Sequence, residues 1–266
     1  MKRLALLAVV VALNGCAYYN GMYNANRLAG RAEKAEREGR TFDASSFWGQ
    51  VVVKADSVLA RHPDSKWADD ARLLRGRGLA RLGRCDAAIP ELARAQQELV
   101  EPDLKEQAAL DLGRCELESG DPAAAEIALA PLQESIDPER RAASRRLLGR
   151  ARVVAGDYAG ALPLLEGASD SIVAASRLLA LAGSGRLDEA RGLADTLIEA
   201  GTVTAPWGEF LRELGRRDPA LATAYLDRIR TLSIDPGLIA AWMLEDADRR
   251  LDTDEAGALA RIEEAE

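Results

Sequence analysis

The fold is decided by residues 112–129, which read LGRCELESGDPAAAEIAL. In this stretch Gly113 is followed seven residues later by Gly120, five further on by Ala125 and four further on by Leu129. The same residue types recur at the same spacings in residues 74–92 and 148–165. The first glycines of the three copies lie 37 and 36 residues apart, so the chain contains an internal repeat. The corresponding residues are Gly76, Gly83, Ala88 and Leu92 in the first copy, and Gly149, Gly156, Ala161 and Leu165 in the third.

The spacings predict a pair of antiparallel helices in each copy. Two helices approach closely where one of them presents a small residue, which is the role we expect for the first glycine and for the alanine. The second glycine can adopt a positive φ, which lets the first helix end in a short turn.

This pattern is similar to the tetratricopeptide signature, whose repeat length is about 34 residues. The resemblance implies an all-α, tetratricopeptide-like α-solenoid of about six to seven antiparallel helical hairpins over residues 22–266. Weaker copies follow the three clear ones. They place a turn at Gly185, a sixth unit on Gly208, Gly215 and Ala220, and a final helical pair over residues 236–266. On the N-terminal side we expect a first hairpin with helices near 22–38 and 43–61. Four Asp-Pro pairs, at 121, 137, 218 and 235, predict helix starts.

The N-terminus predicts a lipid anchor. Met1-Lys2-Arg3 precedes an apolar run that ends at Leu13, too short for a transmembrane helix and typical of a secretory signal. The segment Leu13-Asn14-Gly15-Cys16 resembles a bacterial lipobox, which implies removal of residues 1–15, acylation of Cys16 and a lipidated linker over residues 16–21. The alternative is an ordinary cleaved signal with an unrelated cysteine. In lipoproteins of this kind, retention in the inner membrane is associated with Asp after the cysteine, so Ala17 favours the outer membrane.

Composition argues against several function classes. A net charge of −8 and a pI near 5.0 provide no general basic surface for nucleic acid. His62 is the only histidine, so we expect no metal site based on histidine pairs, and we expect no cofactor and no small-molecule substrate. Some lytic transglycosylases join a helical ring to a catalytic domain, but here the repeats fill nearly the whole chain. The protein is therefore not expected to be an enzyme.

A second resemblance concerns the segment HPDSKWADDA at residues 62–71, followed by Leu73, Leu74 and Gly76. It looks like the linker between units in the tetratricopeptide lipoprotein of the outer-membrane barrel-assembly machinery, a family with five repeats. The resemblance implies a periplasm-facing outer-membrane scaffold that binds protein partners in outer-membrane protein assembly. The alternative is an adaptor in another envelope system, such as polysaccharide export, secretion or coordination of cell-wall synthesis.

The repeat template also predicts where a partner binds. In tetratricopeptide arrays the first helix of each hairpin lines a concave groove, which would present arginines at the same place in consecutive units. Such arginines could bind carboxylates of a partner, or they could pair with acidic neighbours such as Asp111 and Glu116 and keep the surface soluble. The residues expected in this groove are Leu73, Arg77, Arg81, Leu110, Arg114, Arg146 and Arg150.

Two further cysteines, Cys85 and Cys115, fall on neighbouring antiparallel helices of the template. In an oxidising compartment they could form a disulfide bond. The alternative is that both are small buried core residues.

Overall fold

The computed structural model describes residues 21–167, 170–251 and 254–265. Within these residues the secondary structure consists of α-helices with two short 3₁₀ turns, and it contains no strand. The all-α, tetratricopeptide-like fold class is confirmed. The helices are α1 Tyr23–Arg37, α2 Thr41–Arg61, α3 Ala68–Arg81, α4 Cys85–Glu98, α5 Pro102–Glu118, α6 Pro122–Leu129, α7 Pro138–Val154, α8 Tyr158–Ala161, α9 Ser171–Gly183, α10 Leu187–Glu199, α11 Trp207–Arg217, α12 Pro219–Ile229, α13 Pro236–Arg250 and α14 Glu255–Ala265.

These fourteen helices form seven successive hairpins, the upper end of the predicted number. The first hairpin, α1 and α2, and the last, α13 and α14, lie where the sequence placed them. In the described part of the chain, no helix combines the length and the apolar character needed to cross a bilayer.

The chain divides into two compact units, one ending at Leu147 and the other covering Leu148–Glu266. In unit 1 two apolar clusters form the core. One is centred on Trp48 and Val51 of α2, and the other on Leu92 of α4 and Cys115 of α5. In unit 2 a single cluster includes Trp207 and Phe210 of α11, whose rings meet edge to face at 5.5 Å.

The hairpin turns follow the sequence expectation. Gly83 and Gly120 have φ values of +70° and +84°, which glycine adopts without the steric penalty of a side chain. The helix starts are also as expected. All four aspartates of the Asp-Pro pairs accept hydrogen bonds from backbone N–H groups in the first turn of the following helix.

The first glycine of each clear repeat is the place where its two helices touch. A Cβ atom added to Gly76 would lie 2.8 Å from Cγ of Leu92, and one added to Gly149 would lie 2.5 Å from Cδ2 of Leu165. Gly113 meets Leu129 in the same way. The signature leucine of the second helix therefore packs directly onto the glycine of the first.

The sixth hairpin differs from the predicted register. Gly215 lies inside α11 rather than in a turn, and the hairpin turns instead at Asp218, which caps α12. Ala220 is exposed, and Ala222 takes the buried position. Gly208 and Gly215 pack against Trp242 and Arg249 of α13, so these glycines serve contacts with the following hairpin. The seven-residue spacing of Gly208 and Gly215 therefore does not mark a helix contact and a turn within the sixth hairpin, and that prediction is wrong.

The glycine–leucine contact leads to a test on Gly113. In Gly113→Ala the new methyl group collides with the fully buried Leu129, and we expect a net destabilisation of about 1–2 kcal/mol. Gly49 of α2 is the matched control, because nothing lies within 4 Å of the position of its Cβ. Gly49→Ala should stabilise the protein by about 0.5–1 kcal/mol through the unfolded chain and helix propensity. Urea unfolding measures both changes, and equal effects of the two substitutions would contradict the packing argument.

Candidate binding groove

Unit 1 contains a groove of about 590 Å³ lined by side chains of α1, α3, α5 and the start of α7. All four of these helices are the first helices of their hairpins, which are the helices that the repeat template expects to line a groove. The groove is defined by Glu33, Glu36, Arg37, Arg77, Arg81, Gln107, Leu110, Asp111, Asp137, Glu139, Arg140, Ala143 and Arg146.

One carboxylate, Asp111 of α5, organises the base of the groove. It is only 2% exposed. Nε of Arg77 donates to its Oδ2 at 3.1 Å, and Nε and Nη2 of Arg81 donate to its Oδ1 at 3.2 and 3.1 Å. Arg114 approaches the same Oδ1 at 3.8 Å. Three arginines from two hairpins therefore surround a single buried acid.

The first hairpin completes this cluster. Nη2 of Arg77 donates to Glu33 at 2.9 Å, and Nη1 of Arg81 donates to Glu36 at 2.6 Å. The two guanidinium groups also lie 5.6 and 5.8 Å from the ring centre of Trp48, within the range of a cation–π contact. We call Asp111, Arg77, Arg81, Arg114, Glu33 and Glu36 the arginine cluster.

The electrostatics show how the cluster is balanced. Burial alone would raise the pKa of Asp111, but the charges of Arg81, Arg77 and Arg114 outweigh burial and lower this pKa below its ordinary value of 3.8. Burial, followed by repulsion from Arg81, lowers the pKa of the Arg114 guanidinium. Asp111 is therefore held ionised, and its charge compensates the buried Arg77 and the half-buried Arg81 and Arg114.

Two arginines of the groove remain available to a ligand. Neither Arg37 nor Arg146 makes an ion pair or a side-chain hydrogen bond with another residue that the structure describes. Arg140, by contrast, is tied to Asp103 at 2.5 Å and to Glu106 at 3.1 Å. The free positive charge of the groove thus lies on Arg37 of α1 and Arg146 of α7.

The structure places the predicted groove residues in four different environments. Arg77, Arg81, Arg146 and Leu110 line the groove. Arg114 lies beside it in the arginine cluster, and Leu73 is a core residue that is 2% exposed and cannot contact a partner from solvent.

Arg150 lies in unit 2, where it is half-buried. Arg77 and Arg81 are engaged by acids, as the second interpretation of the arginines proposed. Of the two acidic neighbours considered, Asp111 is such a partner. The other neighbour, Glu116, has a pKa raised above its ordinary value, first by burial and then by the negative charge of Asp121.

The sequence pattern does not predict Glu33, Glu36 and Trp48, and Glu33 and Glu36 lie 44 and 45 residues from the arginines that they contact. For other ion pairs the sequence does contain a signal. Ion pairs in both units recur at a separation of 33 or 34 residues, about one repeat length. Arg77 and Asp111 are 34 residues apart, and so are Arg140 and Glu106. In unit 2 Arg228 pairs with Asp195 at a separation of 33 residues. Opposite charges one repeat apart therefore indicate the pairings of Arg77 with Asp111, Arg140 with Glu106 and Arg228 with Asp195, but not the contacts of Glu33 and Glu36.

Unit 2 contains a second buried acid with a similar environment. Asp246 of α13 is 1% exposed and contacts Arg249, Arg250 and Arg261, and Thr223 donates to its Oδ1 at 2.9 Å. This group joins the last two hairpins. The motif of one aspartate among three arginines is thus used in both units.

The structure joins Cys85 and Cys115 in a disulfide bond, with Cα atoms 5.0 Å apart. The bond connects the first residue of α4 to the last part of α5, one turn beyond Asp111. The signal segment and Cys16, the predicted lipid attachment site, lie outside the described residues.

A solved structure has a similar fold. A tetratricopeptide repeat protein from Parabacteroides merdae ATCC 43184 is 12% identical, with a TM-score of 0.60 over 91% of this chain and 92% of that one. No protein-family model and no curated protein matches the chain. At this identity the likeness shows the fold alone. That fold is of the tetratricopeptide-repeat type.

The arginine cluster predicts a large effect of Asp111→Asn. The substitution leaves the buried Arg77 and the half-buried Arg81 and Arg114 without their shared anion, and we expect a loss of about 3–5 kcal/mol in the free energy of unfolding. Asp64→Asn, in an exposed loop, is the control and should change stability by less than about 0.5 kcal/mol. Denaturant unfolding measures both variants.

Comparison of wild type with Asp111→Asn at several pH values tests the pKa of Asp111. A lowered pKa stabilises the fold at pH values above the unfolded pKa, and this stabilisation is lost as pH falls through the folded pKa. The difference between wild type and Asp111→Asn should therefore be largest near neutral pH and shrink below the ordinary value of 3.8. A difference that does not change with pH would argue against an ionised Asp111.

Proposed function

We propose that this protein is a lipid-anchored scaffold of the bacterial outer membrane that faces the periplasm and holds other envelope proteins. The tetratricopeptide-like fold with an open groove supports the binding role. A chain of this fold acts by presenting a surface, so we assign it no catalytic reaction. The anchor rests on the sequence of residues 1–16, where a basic start and a short apolar run lead to Cys16.

Within this proposal, outer-membrane protein assembly is the favoured process. Its support is the resemblance of residues 62–76 to the lipoprotein of the barrel-assembly machinery. The seven hairpins exceed the five repeats of that family, and this observation favours the second candidate, an adaptor in another envelope system. Both candidates require a membrane anchor and a protein partner.

The groove of unit 1 carries the argument about how a partner is held. Arg37 and Arg146 are uncommitted, while the arginine cluster keeps the base of the groove rigid. Leu110 and Ala143 are half-buried beside them and offer a small apolar contact. A guanidinium binds a carboxylate through two parallel hydrogen bonds, which fixes orientation. We therefore infer that the partner presents an extended segment with carboxylates and a short apolar side chain.

The anchor is tested by Cys16→Ala. We expect an unacylated protein that is found in the soluble fraction or remains as the uncleaved precursor, because the thiol that carries the lipid is gone. Membrane fractionation and intact mass measure this. Cys85→Ser leaves the lipobox unchanged and should stay in the membrane. Membrane partitioning and mass that are the same for Cys16→Ala and wild type would refute the anchor.

The groove is tested by the double variant Arg37→Gln, Arg146→Gln. Photo-crosslinking from position 110, followed by recovery from membranes, should capture a partner with wild type and lose it with the double variant. Helix content and melting should not change, because neither arginine is part of the arginine cluster. Exposed Arg61→Gln on α2 is the matched control and should retain the partner.

Salt adds a second criterion, because the wild-type interaction should weaken as ionic strength rises. Full recovery of the partner by the double variant, at any salt concentration, would exclude this groove as the binding site.

A further inference from the structure

The Cys85–Cys115 pair is part of a larger set of donor atoms. The two sulfur atoms and a carboxylate oxygen of Glu118 all lie within 4.8 Å of one another. Cys115 and Glu118 are three residues apart on α5 and therefore share a helix face, while Cys85 reaches them from the first turn of α4. Three potential metal ligands thus come from two packed helices.

The contact between Cys85 and Glu118 is chemically informative. Sγ of Cys85 lies 3.4 Å from Oε2 of Glu118. A disulfide sulfur carries no hydrogen, so in the bonded form Cys85 cannot donate a hydrogen bond to this carboxylate. A thiol proton or a cation would satisfy both atoms.

We propose that Cys85, Cys115 and Glu118 bind a zinc-type divalent cation when the disulfide bond is reduced. Two thiolates and one carboxylate form a donor set suited to Zn²⁺, and water would occupy the fourth position. Two sulfurs that each lie about 2.3 Å from one tetrahedral ion are about 3.8 Å apart. This spacing fits within the 4.8 Å span of the three donors and is reached by rotation of the cysteine side chains.

Access to the site is provided on one side. Cys115 is fully buried and Cys85 is 8% exposed, whereas Glu118 lies at the surface. An ion would therefore reach the two sulfur atoms from the side of the Glu118 carboxylate. The core of unit 1 would shield the opposite side of the ion from solvent. The fixed positions of α4 and α5 reduce the cost of assembling the ligands.

The metal-bound and disulfide forms exclude each other. A dithiol reductant supplies two electrons and two protons, which yields two thiols in the protein and a disulfide in the reductant. Binding of the cation then displaces the two thiol protons, so affinity falls as pH falls. Either form links α4 to α5 beside Asp111, and the proposal does not depend on the function proposed above.

Cobalt provides a direct probe of thiolate ligation. The full chain is reduced with dithiothreitol, separated from it without oxygen, and titrated with Co²⁺. We expect one ion per chain, near-ultraviolet absorption from thiolate-to-cobalt charge transfer, and loss of this absorption when Zn²⁺ is added. The unreduced protein should show no such absorption.

Glu118→Gln tests the third ligand with little risk to folding, because this side chain is exposed. It should weaken cobalt binding at least about tenfold. Glu134→Gln, a change at an exposed glutamate of unit 1 that belongs neither to the donor set nor to the groove, should bind cobalt as wild type does. Circular dichroism of the reduced protein, with and without Zn²⁺, follows the fold during these titrations.

Three results would overturn the site: no charge-transfer absorption in the reduced protein, equal affinity of wild type and Glu118→Gln, or unchanged binding by Cys85→Ser. A reduced chain that loses its helices and does not regain them with Zn²⁺ would also overturn it.

Discussion

The rest of the structure depends on the close approach of two helices at a glycine. Leu92, Leu129 and Leu165 each occupy the space that a side chain on Gly76, Gly113 or Gly149 would need. This contact sets the distance and the rotation between the two helices of a hairpin, because only one face of the first helix lacks side chains. Once that face is committed to the second helix, the remaining faces of the first helix must meet the neighbouring hairpins and the groove. The exposed and buried positions of each repeat follow from this choice.

In the packed helices, two buried aspartates determine where several arginine side chains lie. In unit 1 Asp111 draws Arg77 and Arg81 into the base of the groove, and Trp48 provides a flat apolar surface against which the two guanidinium groups lie. These arginines are therefore structural, and a protein with a net charge of −8 retains a small, defined positive surface at Arg37 and Arg146. In unit 2 Asp246 has the same role between the last two hairpins. A buried acid that is shared by several arginines contributes specificity of arrangement, since removing it leaves uncompensated cations.

The link between α4 and α5 shows how one pair of residues can serve several purposes. Cys115 belongs to the apolar core and lies one turn from Asp111, while its partner Cys85 begins the second helix of the preceding hairpin. Covalent closure at this point keeps the helix that carries Asp111, Gln107 and Leu110 in place against its neighbour. The proximity of Glu118 gives the same location the composition of a metal site, which a pair of core cysteines alone would not have.

The sequence alone determined the repeat, the helical class and most of the turns. These features depend on local spacing: a glycine that needs a positive φ, an aspartate before a proline, and small residues at helical intervals. The sequence-based prediction is wrong at the sixth hairpin. Gly208 and Gly215 have the spacing of the repeat there, but they pack against Trp242 and Arg249 of another hairpin. Spacing within one segment contains no information about which neighbour a small residue faces.

Only the tertiary structure decided which arginines are free. The repeat template places Arg77, Arg81 and Arg146 in the same groove, yet two of them are neutralised by acids that lie 30 or more residues away along the chain. The state of a charged side chain is set by all the groups that folding brings within a few ångströms of it. For this reason the repeat pattern indicates which helices carry these arginines, and the packing of the hairpins decides which of them remain unpaired among the described residues.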